Sequence, residues 1–197
     1  GVPGSKTQKT SNPVVTHVKA GYSRTMKQII IFDLDGTLAD TRADIANAVN
    51  LTRDHFNLPP LPQKRVISYV GNGSRKLIER SFSDKPEMDI SQAVERYSKF
   101  YSSNLIKRTR LYPGVEEGLE QFFDLGISMA VLSNKPGAMC RQIISHFNLD
   151  KYFFCVLGGG DLPALKPDPA GIDYIRARFK KTGGCRAAVS SESICMV

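Results

Sequence analysis

Two aspartates separated by one residue follow the first apolar run of the chain. Asp33 and Asp35 come directly after Ile29 to Phe32, within the segment Asp-Leu-Asp-Gly-Thr. In an extended segment the side chains at i and i+2 point to the same side, so both carboxylates would face one site. The alternative is that the pair only caps a turn, because Asp and Gly favour turns. That alternative explains neither the pairing of the acids nor the apolar run before them.

Two further segments bring hydrogen-bonding and charged groups to the ends of predicted strands. Ser133 and Asn134 follow the apolar run Met129 to Leu132, and Pro136 suits a helix start. A serine at a helix N-cap is common by itself, but its position after a core strand, downstream of Asp-Leu-Asp-Gly-Thr, favours a functional role. Lys166 precedes Pro-Asp-Pro, and its ammonium could offset the charge of a bound anion. A lone lysine is more often only a solvated charge.

Short apolar runs alternate with stretches of helical spacing, and together they predict the elements that position these residues. The runs read as buried strands at residues 29–32, 129–132, 154–157 and 194–197. Helical spacing of apolar residues fills the segments between the later strands. The repetition of strand, helix and strand predicts a doubly wound, Rossmann-like α/β core with a parallel sheet.

The segment from Thr41 to Arg110 departs from this alternation because its pattern is almost entirely helical. Ile45, Val49, Thr52 and Phe56 share one helical face, and a second such face follows near residues 90–101. We therefore expect a helical cap inserted after the first strand. An insertion at the carboxyl end of that strand would lie over the crevice where open α/β sheets bind ligands.

Composition limits the classes of protein to consider. The 197 residues are 41% hydrophobic and carry a formal net charge of +8, but five of the basic residues lie within the first 32 positions. The remainder is only weakly basic, which suits small anionic phosphates better than nucleic acid. No apolar run is long enough to span a bilayer, so no membrane association and a cytoplasmic location are expected. The four cysteines form no metal-binding spacing, and we expect them to be reduced.

The chain divides into three predicted parts. Residues 1–25 lack periodicity and are expected to be a disordered leader or an added tag. Residues 26–40 and 111–197 would form the core, and residues 41–110 the helical cap.

The segment Asp33 to Thr37 after its hydrophobic strand resembles the first motif of the haloacid dehalogenase superfamily. The resemblance implies that Asp33 is a nucleophile that forms an aspartyl-phosphate, and that Asp35 is the general acid and base. It also implies a magnesium ion held by Asp33 and Asp35, the latter through its backbone carbonyl. Ser133, Asn134 and Lys166 would bind the phosphoryl oxygens.

Three further segments are similar to phosphoglycolate phosphatases, namely Asn57 to Leu61, Val70 to Gly73 and Leu111 to Val115. The resemblance implies a small phosphorylated metabolite as substrate, 2-phosphoglycolate first and a sugar phosphate as the alternative. Selectivity would lie in the cap at Gly71, Asn72, Gly73 and Arg75, although Gly-Asn-Gly would serve equally well as an ordinary loop. We expect a monomer or homodimer.

The family's last acidic motif has no counterpart in the sequence. Family members follow their fourth core strand with Gly-Asp and a further Asp that hold magnesium, whereas this chain ends with its predicted fourth strand. We therefore expect the C-terminal part of the core to be missing, with weaker metal binding and reduced turnover. The alternative is a catalytically silent remnant that acts as a phosphate-binding or interaction module.

Overall fold

The computed structural model describes residues 29–181 and the backbone of residues 194–196. In chain order the strands are β1 (Ile29–Phe32), β2 (Ala39–Asp40), β3 (Arg110–Leu111), β4 (Ser128–Pro136), β5 (Phe153–Gly159) and β6 (Ile194–Met196). The helices are α1 (Arg42–His55), α2 (Gln63–Ile67), α3 (Gly73–Ser81), α4 (Ile90–Ser103), α5 (Val115–Asp124), α6 (Gly137–His146) and α7 (Ala170–Lys181). A short 3-10 helix spans Asp150–Tyr152. The predicted leader lies outside the described residues.

Four strands form one parallel sheet in the order β5, β4, β1, β6. Ile29 and Ile31 pack with α7 on one face of this sheet, while α5 and α6 contribute to the core on the other. Because both faces are covered, the strands are apolar at successive positions, which is why they read as continuous runs. The doubly wound α/β core is confirmed. Strand β4 is longer than predicted, since it continues through three buried polar residues to Pro136.

Helices α1 to α4 form the helical cap, which leaves and rejoins the core through the antiparallel pair β2 and β3. Ala39 lies opposite Leu111 in this pair, and Asp40 opposite Arg110. Helices α1 and α4 pack together, and the buried residues Val49 and Tyr97 belong to the core cluster that the cap shares with α5 and α6. The helical insertion after the first strand is confirmed. Whether the cap and the core are separate domains stays a prediction.

A buried carboxylate joins the two connections of the cap. Asp44, in the first turn of α1, is 1% exposed and accepts hydrogen bonds from the backbone N–H groups of Arg108 and Thr109 at 2.8 to 3.0 Å. The hydroxyl of Thr109 donates a further bond at 2.8 Å. A buried carboxylate is tolerated when its oxygens are satisfied in this way. Asp44 therefore fixes the returning segment against the start of α1.

Arg53 holds the far side of the cap together from within. Its guanidinium is 1% exposed and donates to the carbonyl of Pro59 at 2.7 Å, to the carbonyl of Ser81 and to both carboxylate oxygens of Asp84. This two-pronged ion pair holds the pKa of the Asp84 carboxyl at about 2. One side chain thus joins α1, the loop after it and the end of α3.

The remaining expectations concern membrane spans, the cysteines and the acidic motif expected after the fourth core strand. Across residues 29–181 and 194–196 no helix is both long and apolar enough to cross a bilayer. Cys140 and Cys155 are buried free thiols, and the other two cysteine side chains lie outside the described residues. So does the position after β6 at which family members carry further acids.

Candidate active site

Asp33 lies at the carboxyl end of β1 and pairs with a lysine from the opposite side of the site. One carboxylate oxygen accepts the N–H of Leu34 at 2.7 Å, and the other lies 2.8 Å from Nζ of Lys166. The side chain of Asp33 is 34% exposed, so its oxygens remain accessible from the pocket. Gly36 adopts a φ of +85° in the turn that follows, a conformation that favours glycine. The predicted pairing of nucleophile and lysine is thus geometrically possible.

Asp35 is held by two side chains from different elements. The hydroxyl of Thr41 donates to its Oδ1 at 2.7 Å, and Nζ of Lys135 lies 2.9 Å from Oδ1 and 3.2 Å from Oδ2. The Lys135 side chain is only 2% exposed. Its ammonium also donates to the hydroxyl of Tyr101, which belongs to the cap helix α4. Asp35 is therefore fixed by the start of the cap and by the end of β4.

Asn134 uses its side-chain amide to bridge the cap and the lysine loop. Its Nδ2 donates to the carbonyl of Gly71 at 2.8 Å and to the carbonyl of Lys166 at 3.1 Å. Its Oδ1 accepts the N–H of Lys166 at 2.7 Å. Both amide hydrogens are committed to carbonyl oxygens, so the side chain has none left to donate to a phosphate. Its predicted role in phosphate binding is left to its backbone N–H.

A pocket of about 70 Å³ opens between the end of the sheet and the cap. Asp33, Asp35 and Ser133 lie at its polar end, while Ile45 and Leu77 of the cap form part of its apolar wall. The hydroxyl of Ser133 accepts the N–H of Lys135 at 3.3 Å. The two carboxylates and the Ser133 hydroxyl thus meet at one end of the pocket.

The cap residues predicted to set selectivity divide into two groups. Gly71 and Gly73 line the pocket, and a Cβ at Gly73 would lie 3.0 Å from the side chain of Leu165. Asn72 instead accepts a hydrogen bond from Arg80 at 2.9 Å. Arg75 pairs with Glu79 on the exposed side of α3 and does not line the pocket. The structure therefore brings the two glycines to the pocket and leaves Arg75 outside it.

Burial around the site perturbs groups next to the aspartates. Removal from water raises the pKa of the Tyr101 hydroxyl well above its ordinary value, and the neighbouring Asp35 raises it further. The same loss of solvation raises the pKa of the Cys140 thiol to about 12. Both groups therefore stay protonated near neutral pH, and the thiol is not a nucleophile.

Sequence reasoning missed the two residues that hold Asp35, Thr41 and Lys135, and the tyrosine that bonds Lys135. Lys135 stands two positions after Ser133 in an extended segment, so strand alternation could have placed it on the same side. Sequence periodicity places Tyr101 only on a helical face and Thr41 only at the start of the cap. No local pattern connects Asp35 to residues 6, 66 and 100 positions further along the chain.

Oxygen ligands for a divalent cation lie at the end of β1. Asp33 keeps lone pairs that its two partners do not use, and Asp35 adds a backbone carbonyl two residues later. An all-oxygen set is the kind that Mg²⁺ prefers. Within the described part of the chain, no group of three or more His, Cys, Asp or Glu side chains could hold a metal. The described residues thus fit magnesium in kind, and Asp33 and Asp35 would supply part of its ligand set.

The parallel sheet, the cap over the end of β1 and the Asp33–Lys166 pair together define an α/β enzyme with a charged site beneath a helical cap. The chain belongs to the family described as haloacid dehalogenase-like hydrolase, whose model matches residues 30–189. This confirms the family recognised from the Asp-Leu-Asp-Gly-Thr segment.

Relatives with curated names agree with this family. A phosphoglycolate phosphatase from Haemophilus influenzae is 38% identical over 163 residues, which cover 79% of this chain and 73% of the relative. A phosphoglycolate phosphatase from Neisseria meningitidis is 36% identical over 168 residues, covering 83% and 68%.

Solved structures of similar fold agree with the family assignment. The crystal structure of a predicted phosphoglycolate phosphatase from Haemophilus somnus superposes with a TM-score of 0.78 at 30% identity, covering 89% of this chain and 77% of that one. A haloacid dehalogenase-like family hydrolase from Streptococcus pneumoniae, at 23% identity and a TM-score of 0.68, covers 86% and 74% and shows the shared fold.

Proposed function

We propose that the chain hydrolyses a small phosphomonoester, with 2-phosphoglycolate as the first candidate substrate. As a haloacid dehalogenase-like hydrolase related to phosphoglycolate phosphatases, the chain is a phosphoric monoester hydrolase. The observation that carries the proposal is the Asp33 carboxylate, which faces a small pocket while paired at 2.8 Å with Lys166. A nucleophile and a compensating cation therefore stand where a phosphoryl group could enter.

In the proposed first step, Asp33 attacks phosphorus and the bond to the leaving alcohol breaks, which gives an aspartyl-phosphate. The nucleophile and the phosphoryl group are both anionic, so the step needs positive charge beside them. Lys166 supplies an ammonium at this point. The hydroxyl of Ser133 and backbone N–H groups at the end of β4 would hold the phosphoryl oxygens.

Asp35 handles the protons in this proposal. Its carboxyl group would protonate the leaving oxygen and then, as a carboxylate, remove a proton from the water that hydrolyses the intermediate. Thr41 and Lys135 hold that carboxylate from two directions, which limits the orientations it can take. Preorganisation of this kind lowers the cost of placing an acid next to the reacting atoms.

We propose Mg²⁺ as the cofactor, held by the Asp33 carboxylate and the Asp35 carbonyl, with water and substrate oxygens completing the set. The ion would supply charge neutralisation for the phosphoryl group. A readout separate from turnover is thermal unfolding, because an ion that binds only the folded chain raises the unfolding midpoint. Mg²⁺ should raise it for the wild type and raise it less for Asp33→Asn.

The decisive experiment measures phosphate release from 2-phosphoglycolate and a panel of sugar phosphates, with Mg²⁺ and with a chelator. We expect magnesium-dependent release that is fastest for 2-phosphoglycolate. Asp33→Asn should lower the rate at least about 1,000-fold while the circular dichroism spectrum is unchanged. Asp124→Asn, at an exposed carboxylate of α5, is the matched control and should keep full activity.

The outcomes separate the alternatives. Faster release from a sugar phosphate would replace the substrate but keep the reaction. Retained turnover in Asp33→Asn would contradict the mechanism. Binding of inorganic phosphate without any turnover would favour the phosphate-binding module. We further propose a cytoplasmic monomer or homodimer without nucleic-acid or membrane partners, and sedimentation would measure its oligomeric state.

A further inference from the structure

A buried lysine links helix α4 of the cap to Asp35, the carboxylate proposed to transfer protons. Lys135 comes from the end of β4, and its ammonium carries three hydrogens. It lies within 3.2 Å of both Asp35 oxygens and donates to the hydroxyl of Tyr101, which stands on the cap helix α4. The ammonium also lies 4.5 Å from the centre of the Tyr101 ring. Lys135 thus connects the cap to Asp35.

Because both side chains are buried, the position of the Lys135 ammonium depends on its protein partners. The Lys135 side chain is 2% exposed and Tyr101 is 1% exposed, so water does not readily replace either partner. A buried ammonium that loses one acceptor turns toward those that remain, or admits water. In either case the position of Nζ relative to Asp35 changes, and the orientation of the Asp35 carboxylate changes with it.

We propose that Tyr101 is a positioning residue, whose hydroxyl holds the Lys135 ammonium so that Asp35 points its carboxyl group at the leaving oxygen of the substrate. The proposal rests on the proposed function and deepens it. The cap then acts on the core in addition to covering the pocket, because one of its helices sets the geometry of proton transfer. Tyr101 itself need not touch the reacting atoms.

Removal of the hydroxyl alone tests this role, since Tyr101→Phe keeps the ring and its packing. Protonation matters most when the leaving group is a poor one, such as an alkoxide, and least for p-nitrophenolate, which leaves without a proton. We therefore expect Tyr101→Phe to lower kcat/KM about tenfold for 2-phosphoglycolate and less than about threefold for p-nitrophenyl phosphate. A general loss of structure would lower both rates equally and would overturn the proposal, as would no loss at all.

Tyr152→Phe is the matched control. Tyr152 is also buried, and its hydroxyl bonds Glu120 at 3.3 Å, outside the site. Its removal should leave both rates unchanged. In a double-mutant cycle, Tyr101→Phe should add nothing to Lys135→Met, because the tyrosine acts through the lysine. Additive losses would contradict the connection.

A spectroscopic measurement tests the contact between Tyr101 and Lys135 independently of turnover. In ¹⁵N-labelled protein, a buried and fully bonded lysine ammonium exchanges its hydrogens slowly enough to give a signal, assigned through its loss in Lys135→Met. We expect this signal in the wild type and in Tyr152→Phe, and its broadening in Tyr101→Phe. An unchanged signal in Tyr101→Phe would refute the contact. A wild type that releases no phosphate would refute the proposed function alone.

Discussion

Replacement of Asn134 by alanine tests whether one amide holds both the cap and Lys166, the lysine that pairs with Asp33. The side chain is 8% exposed and makes three hydrogen bonds, one to Gly71 in the cap and two to the backbone of Lys166. Alanine removes all three and leaves two carbonyl groups and one N–H without this partner. The change therefore affects stability and the position of Lys166 together.

The expected loss in free energy of unfolding follows from the number of hydrogen bonds that Asn134→Ala removes. A hydrogen bond within a protein contributes about 0.5 to 1.5 kcal/mol net, so three amount to roughly 1.5 to 4.5 kcal/mol of the free energy of unfolding. Water entering the space left by the amide recovers part of this, and we expect a loss of about 2 to 3 kcal/mol. Because the backbone of Lys166 loses two of its anchors, kcat/KM should fall about 10- to 100-fold.

The matched control is Asn50→Ala. Asn50 forms the same kind of amide bridge, since it donates to the carbonyl of Leu61 at 2.9 Å and accepts the N–H of Leu61 at 2.8 Å. This bridge lies within the cap and does not reach Lys166. Urea unfolding should give a loss of about 1 to 3 kcal/mol for Asn50→Ala. Its kcat/KM should stay within about twofold of the wild type.

A comparison of the two variants tests whether Asn134 positions Lys166 or only stabilises the cap. If Asn50→Ala loses as much activity as Asn134→Ala, then general loosening of the cap explains the loss. If Asn134→Ala keeps full activity despite its lower stability, the amide does not position Lys166. Either result would refute the role assigned to Asn134.

Two further predictions concern the backbone near the site and the pH dependence of the cap. Gly158→Ala should lower the free energy of unfolding by about 1 to 3 kcal/mol, because its Cβ would lie 2.6 Å from Cα of Gly137 and would overlap the carbonyl oxygen of Lys135. Gly118→Ala, with open space around its Cβ inside α5, should instead gain up to about 1 kcal/mol, and equal urea midpoints would contradict this. Arg53 lowers the pKa of Asp84 from 3.8 to about 2, so the contribution of this pair is complete above pH 3.8 and is lost as the pH falls through 2. The difference in free energy of unfolding between the wild type and Asp84→Asn should therefore shrink over that interval, and a constant difference would refute the assignment.

The fold could be predicted because its signals are local. Four apolar runs marked the strands, and the paired burial of Ile29 and Ile31 against α7 explains why those runs are continuous. The cap was visible as a long segment without a strand. Its two-residue attachments β2 and β3 were not, because strands so short carry no periodicity.

The site could be predicted best where residues lie near the carboxyl end of a strand. Asp33 and Asp35 follow β1 and Ser133 lies in the carboxyl-terminal half of β4, so their convergence follows from parallel topology. Arg75 was placed near the substrate by its sequence neighbours, yet helix α3 turns it toward Glu79. Tyr101 is separated from Lys135 by 34 residues, and only the packing of α4 brings them together.

The end of β4 shows how one short segment serves two charged groups. Successive side chains of an extended strand point to opposite sides, so Asn134 and Lys135 cannot serve the same partner. Asn134 faces the lysine loop and holds the residue that pairs with Asp33. Lys135 faces the other way and holds Asp35. Each of the two side chains also bonds the cap, at Gly71 and Tyr101 respectively. A displaced cap would therefore disturb both carboxylates at once.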